Sequence, residues 1–159
     1  MKPRLREYAP EDFETLYAID HVCFESSVAY SRPELRIYLR VPGADCLVAE
    51  AAGKPIGFIV TVHDAASAYI ITLDVLPEYR RRGVAASLLE AAEKGLAVQG
   101  VGEASLETAT DNAAAIAFWQ KHGYRTYGII EDYYPGGRSA YSMIKTIDTP
   151  QAKHGSYPR

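Results

Sequence analysis

Apolar residues recur at helical spacing early in the chain and at strand spacing after it. Leu16, Ile19 and Cys23, with Phe24 beside them, fall on one face of a predicted helix. Ala9-Pro10-Glu11-Asp12 reads as its start, because proline is tolerated in a first turn and acids suit the positive end. A short strand, Leu5–Tyr8, precedes it. Ser31 is placed to cap a second helix, with Pro33 in the first turn and Leu35 and Leu39 as its stripe. Glu25–Tyr30, between the helices, reads as a loop. Past Pro42-Gly43 the period shortens: Cys46–Glu50 and Ile56–Val62 flank the turn Ala52-Gly53-Lys54 as an antiparallel hairpin. His63–Ser67 is a turn, and Tyr69–Leu76 is a strand that Pro77 stops. A helix follows from Arg82 to about Val98, its apolar face Leu88, Leu89 and Ala92, with Gly100 past its end. Ala104–Thr108 is a strand, and Asn112 opens a shorter alanine-rich helix that ends at Gly123. Tyr124–Ile130 and Ala140–Ile147 are the last strands, with Asp132-Tyr133-Tyr134-Pro135-Gly136-Gly137 in the loop between them. The order βααβββαβαββ predicts a mixed α/β domain. No repeat or linker divides it, so residues 1–147 are read as one domain and residues 148–159 as a polar tail.

Composition narrows the function. The chain has 159 residues, 48% hydrophobic and 23% charged, which suits one globular domain and argues against disorder. Lys plus Arg is 17 and Asp plus Glu is 20, a net charge of −3. A general nucleic-acid binder is usually basic, so any anion site here is local. The two cysteines, Cys23 and Cys46, have no Cys/His pairing that would suggest a metal site. The opening has no signal-peptide core, and no run approaches the roughly 18 apolar residues of a membrane span. The expected location is the cytoplasm, with no membrane, nucleic-acid or metal partner, as a monomer or homodimer.

The stretch Leu73-Asp74-Val75-Leu76-Pro77-Glu78-Tyr79-Arg80-Arg81-Arg82-Gly83-Val84-Ala85 joins a strand end, a basic turn and a helix start. A first helical turn leaves N–H groups without partners, and small residues let a ligand approach them. That arrangement suits a phosphate or pyrophosphate; a solvated basic turn explains the same residues. Arg80-x-x-Gly83-x-Ala85 after a strand resembles the acetyl-CoA pyrophosphate loop of the GCN5-related N-acetyltransferase (GNAT) superfamily. Asn112-Ala113-Ala114-Ala115-Ile116-Ala117-Phe118-Trp119 with Gly123-Tyr124 resembles its second signature, and Pro10–Phe24 its first helix. The resemblance covers residues 3–147. Glu107 five residues before Asn112, and Tyr133-Tyr134-Pro135, resemble the branch that acetylates protein N-termini, including the ribosomal-protein alanine acetyltransferases. Tyr69-Ile70-Ile71-Thr72-Leu73 resembles the catalytic strand of a eukaryotic N-terminal acetyltransferase subunit.

The resemblance implies a twisted, mainly antiparallel mixed sheet of about seven strands with about four helices, splayed between the fourth and fifth strands. It implies acetyl-CoA as cosubstrate. Leu73, Asp74 and Val75 would bond the pantetheine through backbone, and Arg80, Arg81, Arg82, Gly83, Val84, Ala85 and Ala86 would surround the pyrophosphate. Asn112 would contact the pantetheine arm as well as cap its helix. The implied reaction is amine attack on a thioester, which needs a base and a route for the leaving thiolate. Glu107 is the candidate base, either facing a cleft or outward on its strand, and Tyr69 a candidate to hold a relaying water. Trp119 stands where the superfamily often has a tyrosine. Its indole N–H can donate to sulfur but is not a useful acid; a core-filling role is the alternative. Glu25, Tyr30, Tyr133 and Tyr134 are the candidate substrate contacts. The expected function is an N-acetyltransferase acting on a protein or peptide N-terminal α-amine; the alternatives are acetylation of a small amine such as a polyamine, amino acid or aminoglycoside, and acyl-CoA binding without catalysis.

Overall fold

The computed structural model describes residues 2–148, and the helices and strands follow the predicted order. They are β1 (Arg4–Glu7), α1 (Phe13–Cys23), α2 (Arg32–Arg40), β2 (Ala44–Ala51), β3 (Lys54–His63), β4 (Ser67–Val75), α3 (Val84–Val98), β5 (Glu103–Ala109), α4 (Ala113–Lys121), β6 (Arg125–Tyr134) and β7 (Arg138–Thr146). The strands form a seven-stranded sheet in the order β1-β2-β3-β4-β5-β7-β6. β1–β2, β2–β3, β5–β7 and β6–β7 pair antiparallel, and β4–β5 pairs parallel. The splay expected at β4 and β5 shows as a ladder of three registered pairs, Ser67–Glu103, Ala68–Ala104 and Tyr69–Ser105.

Local chemistry sets the helix starts. Ser31 Oγ accepts the Glu34 N–H and Glu34 returns a carboxyl oxygen to the Ser31 N–H, a capping box that opens α2. Asn112 caps α4 through the Ala115 N–H. Arg6 holds Asp12 through both terminal nitrogens, at 2.7 and 2.8 Å, which ties β1 to the turn that leads into α1.

Most element boundaries differ from the sequence reading by a residue or more, among them the following. β1 begins and ends one residue earlier. α3 begins at Val84 rather than Arg82, because Arg81 and Gly83 take left-handed φ values of 63° and 83°. The loop placed over Asp132–Gly137 shrinks to the turn Pro135-Gly136-Gly137. A register irregularity between Ile130 and Tyr134, with Asp132 at φ 54°, lets β6 continue through Tyr134. The tail expected over 148–159 lies, apart from Asp148, outside the described residues.

The described chain forms two compact units: residues 2–62 with 70–94, and residues 63–69 with 95–148. The first is built on Leu16, Ile19, Val48, Phe58 and Val60. In the second, Val101, Ala104, Leu106, Trp119, Tyr124, Ala140 and Met143 are buried. Among the described residues no helix is long and apolar enough to cross a membrane.

Candidate active site

In the first unit the chemistry is mostly backbone. β4 alternates, burying Ile70, Thr72 and Asp74 and leaving Ile71 and Leu73 half-buried. Its end is crowded. The Val75 carbonyl accepts from Arg80 Nε at 2.9 Å and from the Cys23 thiol at 3.4 Å. Arg80 therefore turns its Nε back onto β4, and Arg80, Arg81 and Arg82 are all exposed on the turn. Left-handed φ at Arg81 is unusual for a residue with a side chain, and strain of that kind concentrates at functional turns. Alternating left-handed residues point successive N–H groups to one side, an anion-binding nest. A Cβ on Gly83 would meet nothing within 4 Å, so the turn is open there. Val84 is buried, and Ala85 and Ala86 are half-buried in the first turn of α3. The residues present fit a pyrophosphate.

A second glycine, absent from the sequence reading, shapes this strand. A Cβ on Gly57 of β3 would lie 2.6 Å from the Asp74 carbonyl oxygen, so β3 approaches β4 closely only because residue 57 lacks a side chain. Also in this unit, Tyr30 donates its hydroxyl to the Ile71 carbonyl at 3.2 Å and packs edge-on against Tyr38. Its phenol is thus committed to β4. Glu25 lies exposed at the start of the same turn, where its carbonyl accepts from Val28 and Ala29.

In the second unit the chemistry is side chains. Leu106 and Thr108 are buried on one face of β5, and Glu107 is half-buried on the other. The β5–β7 register sets Ser142 opposite Glu107, and the Ser142 hydroxyl donates to Glu107 Oε2 at 3.3 Å. Tyr133 also hydrogen-bonds the carboxyl. The Tyr69 and Tyr133 hydroxyls lie 3.5 Å apart, which links β4, β6 and β5 in one polar chain. Burial raises the Glu107 pKa, and the Ser142 and Tyr133 hydrogen bonds oppose that rise. Burial pushes the neighbouring Tyr134 phenol up to about 12, helped by Tyr133 and Glu107. A carboxyl with a raised pKa, held by hydroxyls, is equipped to take a proton from an amine.

Trp119 is 7% exposed and meets Phe118 and Tyr124 in edge-on contacts, with centroids 5.1 and 5.3 Å away. This is the geometry of its core-filling alternative. Ser142 was not legible in the sequence, because only the cross-strand register brings it to Glu107. Among the described residues, no cluster of three His, Cys, Asp or Glu side chains is arranged to hold a metal.

Residues 10–124 match the family model described as the acetyltransferase (GNAT) family. An N-alpha-acetyltransferase of Saccharolobus solfataricus is 34% identical over 80 residues, 50% of this chain and 48% of that protein. The chain spans about half the length of two of the curated relatives it matches, that one and the N-alpha-acetyltransferase 30 of Schizosaccharomyces pombe, at 51%. Two solved structures superimpose with TM-scores of 0.85 over 92% of this chain. They are the ribosomal-protein-S18-alanine N-acetyltransferase of Escherichia coli, 25% identical and 95% covered, and Ard1 of Thermoplasma volcanium, 27% identical and 99% covered.

Proposed function

The chain belongs to the acetyltransferase (GNAT) family, and on that premise we propose that it transfers an acetyl group from acetyl-CoA to a protein or peptide N-terminal α-amine in the cytoplasm. The observation that carries the proposal is the Glu107 carboxyl, half-buried with a raised pKa and held by Ser142 and Tyr133. An α-amine has a pKa of about 7.7–8.0, against about 10.4 for lysine. A base only modestly stronger than an ordinary carboxylate suits the first.

Acetyl-CoA supplies the activated acyl group. In this reading the N–H groups of Arg81 to Ala86, with the exposed guanidinium groups of Arg81 and Arg82, hold the pyrophosphate. The backbone of Leu73 to Val75 takes up the pantetheine as an added strand, and Asn112 adds a contact to that arm. Glu107 accepts the proton that the amine sheds as its nitrogen bonds the acyl carbon, directly or through a water held by Tyr69 and Tyr133. The carbon–sulfur bond breaks and sulfur leaves as thiolate, to be protonated by solvent. Trp119 keeps the α4 segment packed. Tyr133, Tyr134 and the Glu25–Tyr30 turn meet the acceptor. The N-alpha-acetyltransferase relatives support the α-amine.

The test is CoA release from acetyl-CoA with peptides of varied first residue, polyamines and free amino acids. Acetylation at the peptide α-amine is expected. Turnover confined to small amines would replace the acceptor class, and binding without turnover would replace catalysis.

A further inference from the structure

Asp20 and Asp74 are buried acids that the proposed proton transfer does not use. Asp20 lies on the apolar stripe of α1 between Leu16 and Cys23, Asp74 on the inward face of β4, and each is 1% exposed. Asp20 Oδ2 accepts the backbone N–H of Tyr30 at 2.8 Å. Asp74 Oδ1 accepts a short hydrogen bond from the Thr72 hydroxyl. The other two oxygens, Asp20 Oδ1 and Asp74 Oδ2, receive no donor from elsewhere among the described residues. The two carboxyl groups are within hydrogen-bonding reach of each other. Two buried carboxylates in contact repel, whereas one retained proton turns the contact into an O–H···O bond. The ionisable groups facing the pair are the thiols of Cys23 on α1 and Cys46 on β2, and the Arg80 guanidinium after β4. Arg80 offsets one negative charge, not two.

Each acid is tied to a different segment. Asp20 holds the turn of residues 25–30 at its last amide, and the Tyr30 hydroxyl returns to β4 at Ile71. Asp74 lies between Leu73 and Val75 on β4 itself. We propose that Asp20 and Asp74 share one proton as a positioning pair, fastening the Glu25–Tyr30 turn to β4 so that both hold one geometry until that proton is lost. Its effect on catalysis rests on the acetyl-transfer reading, in which β4 meets the acyl donor and the turn meets the amine; the shared proton does not. Burial, then Asp20, raises the Asp74 pKa well above the ordinary carboxylate range. A raised folded value gives stability that is complete at low pH and lost as pH rises through that value.

The decisive variant is Asp20→Asn, whose amide can accept the Tyr30 N–H and donate to the Asp74 carboxylate with no shared proton. At about pH 6, roughly two units above the ordinary Asp pKa of about 3.9, infrared difference spectra should show a protonated carboxylic-acid carbonyl band in the parent that is missing in Asp20→Asn. As pH rises above the ordinary Asp range, the parent Tm should fall more steeply than that of Asp20→Asn. Asp20→Ala should speed exchange of the Tyr30 amide and raise the peptide KM about tenfold or more with a smaller change in kcat, and Asp20→Asn should restore both. A parent without the acid band, or an Asp20→Asn variant with the parent's pH dependence, overturns the pair. A parent that shows the band but acetylates no amine overturns the acetyl-transfer reading instead.

Discussion

The turn after β4 offers mainly backbone, whereas the cluster around Glu107 offers only side chains. In the turn, left-handed Arg81 and Gly83 aim N–H groups that every residue but proline carries. In the cluster, β4, β5, β6 and β7 each contribute one polar side chain: Tyr69, Glu107, Tyr133 and Ser142. A site made of backbone tolerates exchange of side chains and fails at the glycines that shape it. A site made of side chains fails when one functional group is removed, even by an isosteric change. The two therefore respond to mutation in different ways, and each response can be measured.

The largest effect belongs to the cluster. Glu107→Gln keeps the shape of the side chain and removes its basicity, so kcat/KM should fall by roughly 10²–10⁴. Burial raises the Glu107 pKa, so the parent's rate should climb as pH rises through that value and the carboxyl ionises. The variant's deficit should narrow at still higher pH, where the amine loses its proton unaided. Rate against pH for both proteins checks this, and the stabilisation by acetyl-CoA should be the same in both. A variant as fast as the parent at neutral pH would remove Glu107 from the reaction.

Next comes the turn. Acetyl-CoA at about 100 times its Kd should stabilise the parent by about 2.7 kcal/mol, a Tm shift of roughly 5–10 °C. Gly83→Val should abolish most of that shift. Open space where a Cβ would stand at residue 83 leaves the unliganded variant only the strain of its φ of 83°, roughly 1–2 kcal/mol. Arg81→Gly, which keeps the N–H and relieves strain, should retain most of the shift; if it loses as much as Gly83→Val, the side chain rather than the backbone holds the anion.

A smaller effect should arise at Gly57. An added methyl lies 2.6 Å from the Asp74 carbonyl, so one strand must move. Gly57→Ala should cost roughly 1–3 kcal/mol and raise the KM for acetyl-CoA. Denaturant melts and initial rates check it, and an unchanged KM would separate the spacing of β3 and β4 from cofactor binding.

The smallest change in rate is expected at Trp119. Trp119→Phe and Trp119→Tyr should each lose roughly 1–2 kcal/mol of stability through imperfect filling of the buried site. Neither should raise kcat at saturating acetyl-CoA. A tenfold gain for tyrosine alone would mean that protonation of the leaving sulfur limits the rate.

Much of the architecture was legible because its signals are local. The helical stripe Leu16-Ile19-Cys23, the Ser31 and Asn112 caps, and the arginine-glycine spacing of the turn each span a few residues. What was missed depends on partners distant in sequence. Ser142 reaches Glu107 through a cross-strand register 35 residues away. Gly57 matters through the carbonyl of another strand. Asp20 does carry a local signal, an acid four residues after Leu16 on an apolar stripe, but its partner Asp74 is visible only when α1 lies on β4. The extension of β6 through Asp132 was hidden because a left-handed residue in Asp-Tyr-Tyr-Pro-Gly-Gly reads as a loop, while pairing with β7 makes it a bulge.

The Cys23 thiol, bonded to the Val75 carbonyl, has a consequence at the bench. Burial pushes it up to about 11, and burial pushes Cys46 up as well. At neutral pH roughly one Cys23 in ten thousand is then thiolate, against a few per cent for an ordinary cysteine. Alkylating reagents act on the thiolate, so both native cysteines should resist them while the protein is folded. A cysteine introduced at Val98, which is 74% exposed, should take a maleimide dye quickly and selectively, so a single probe can be placed on the chain with both natural thiols left intact.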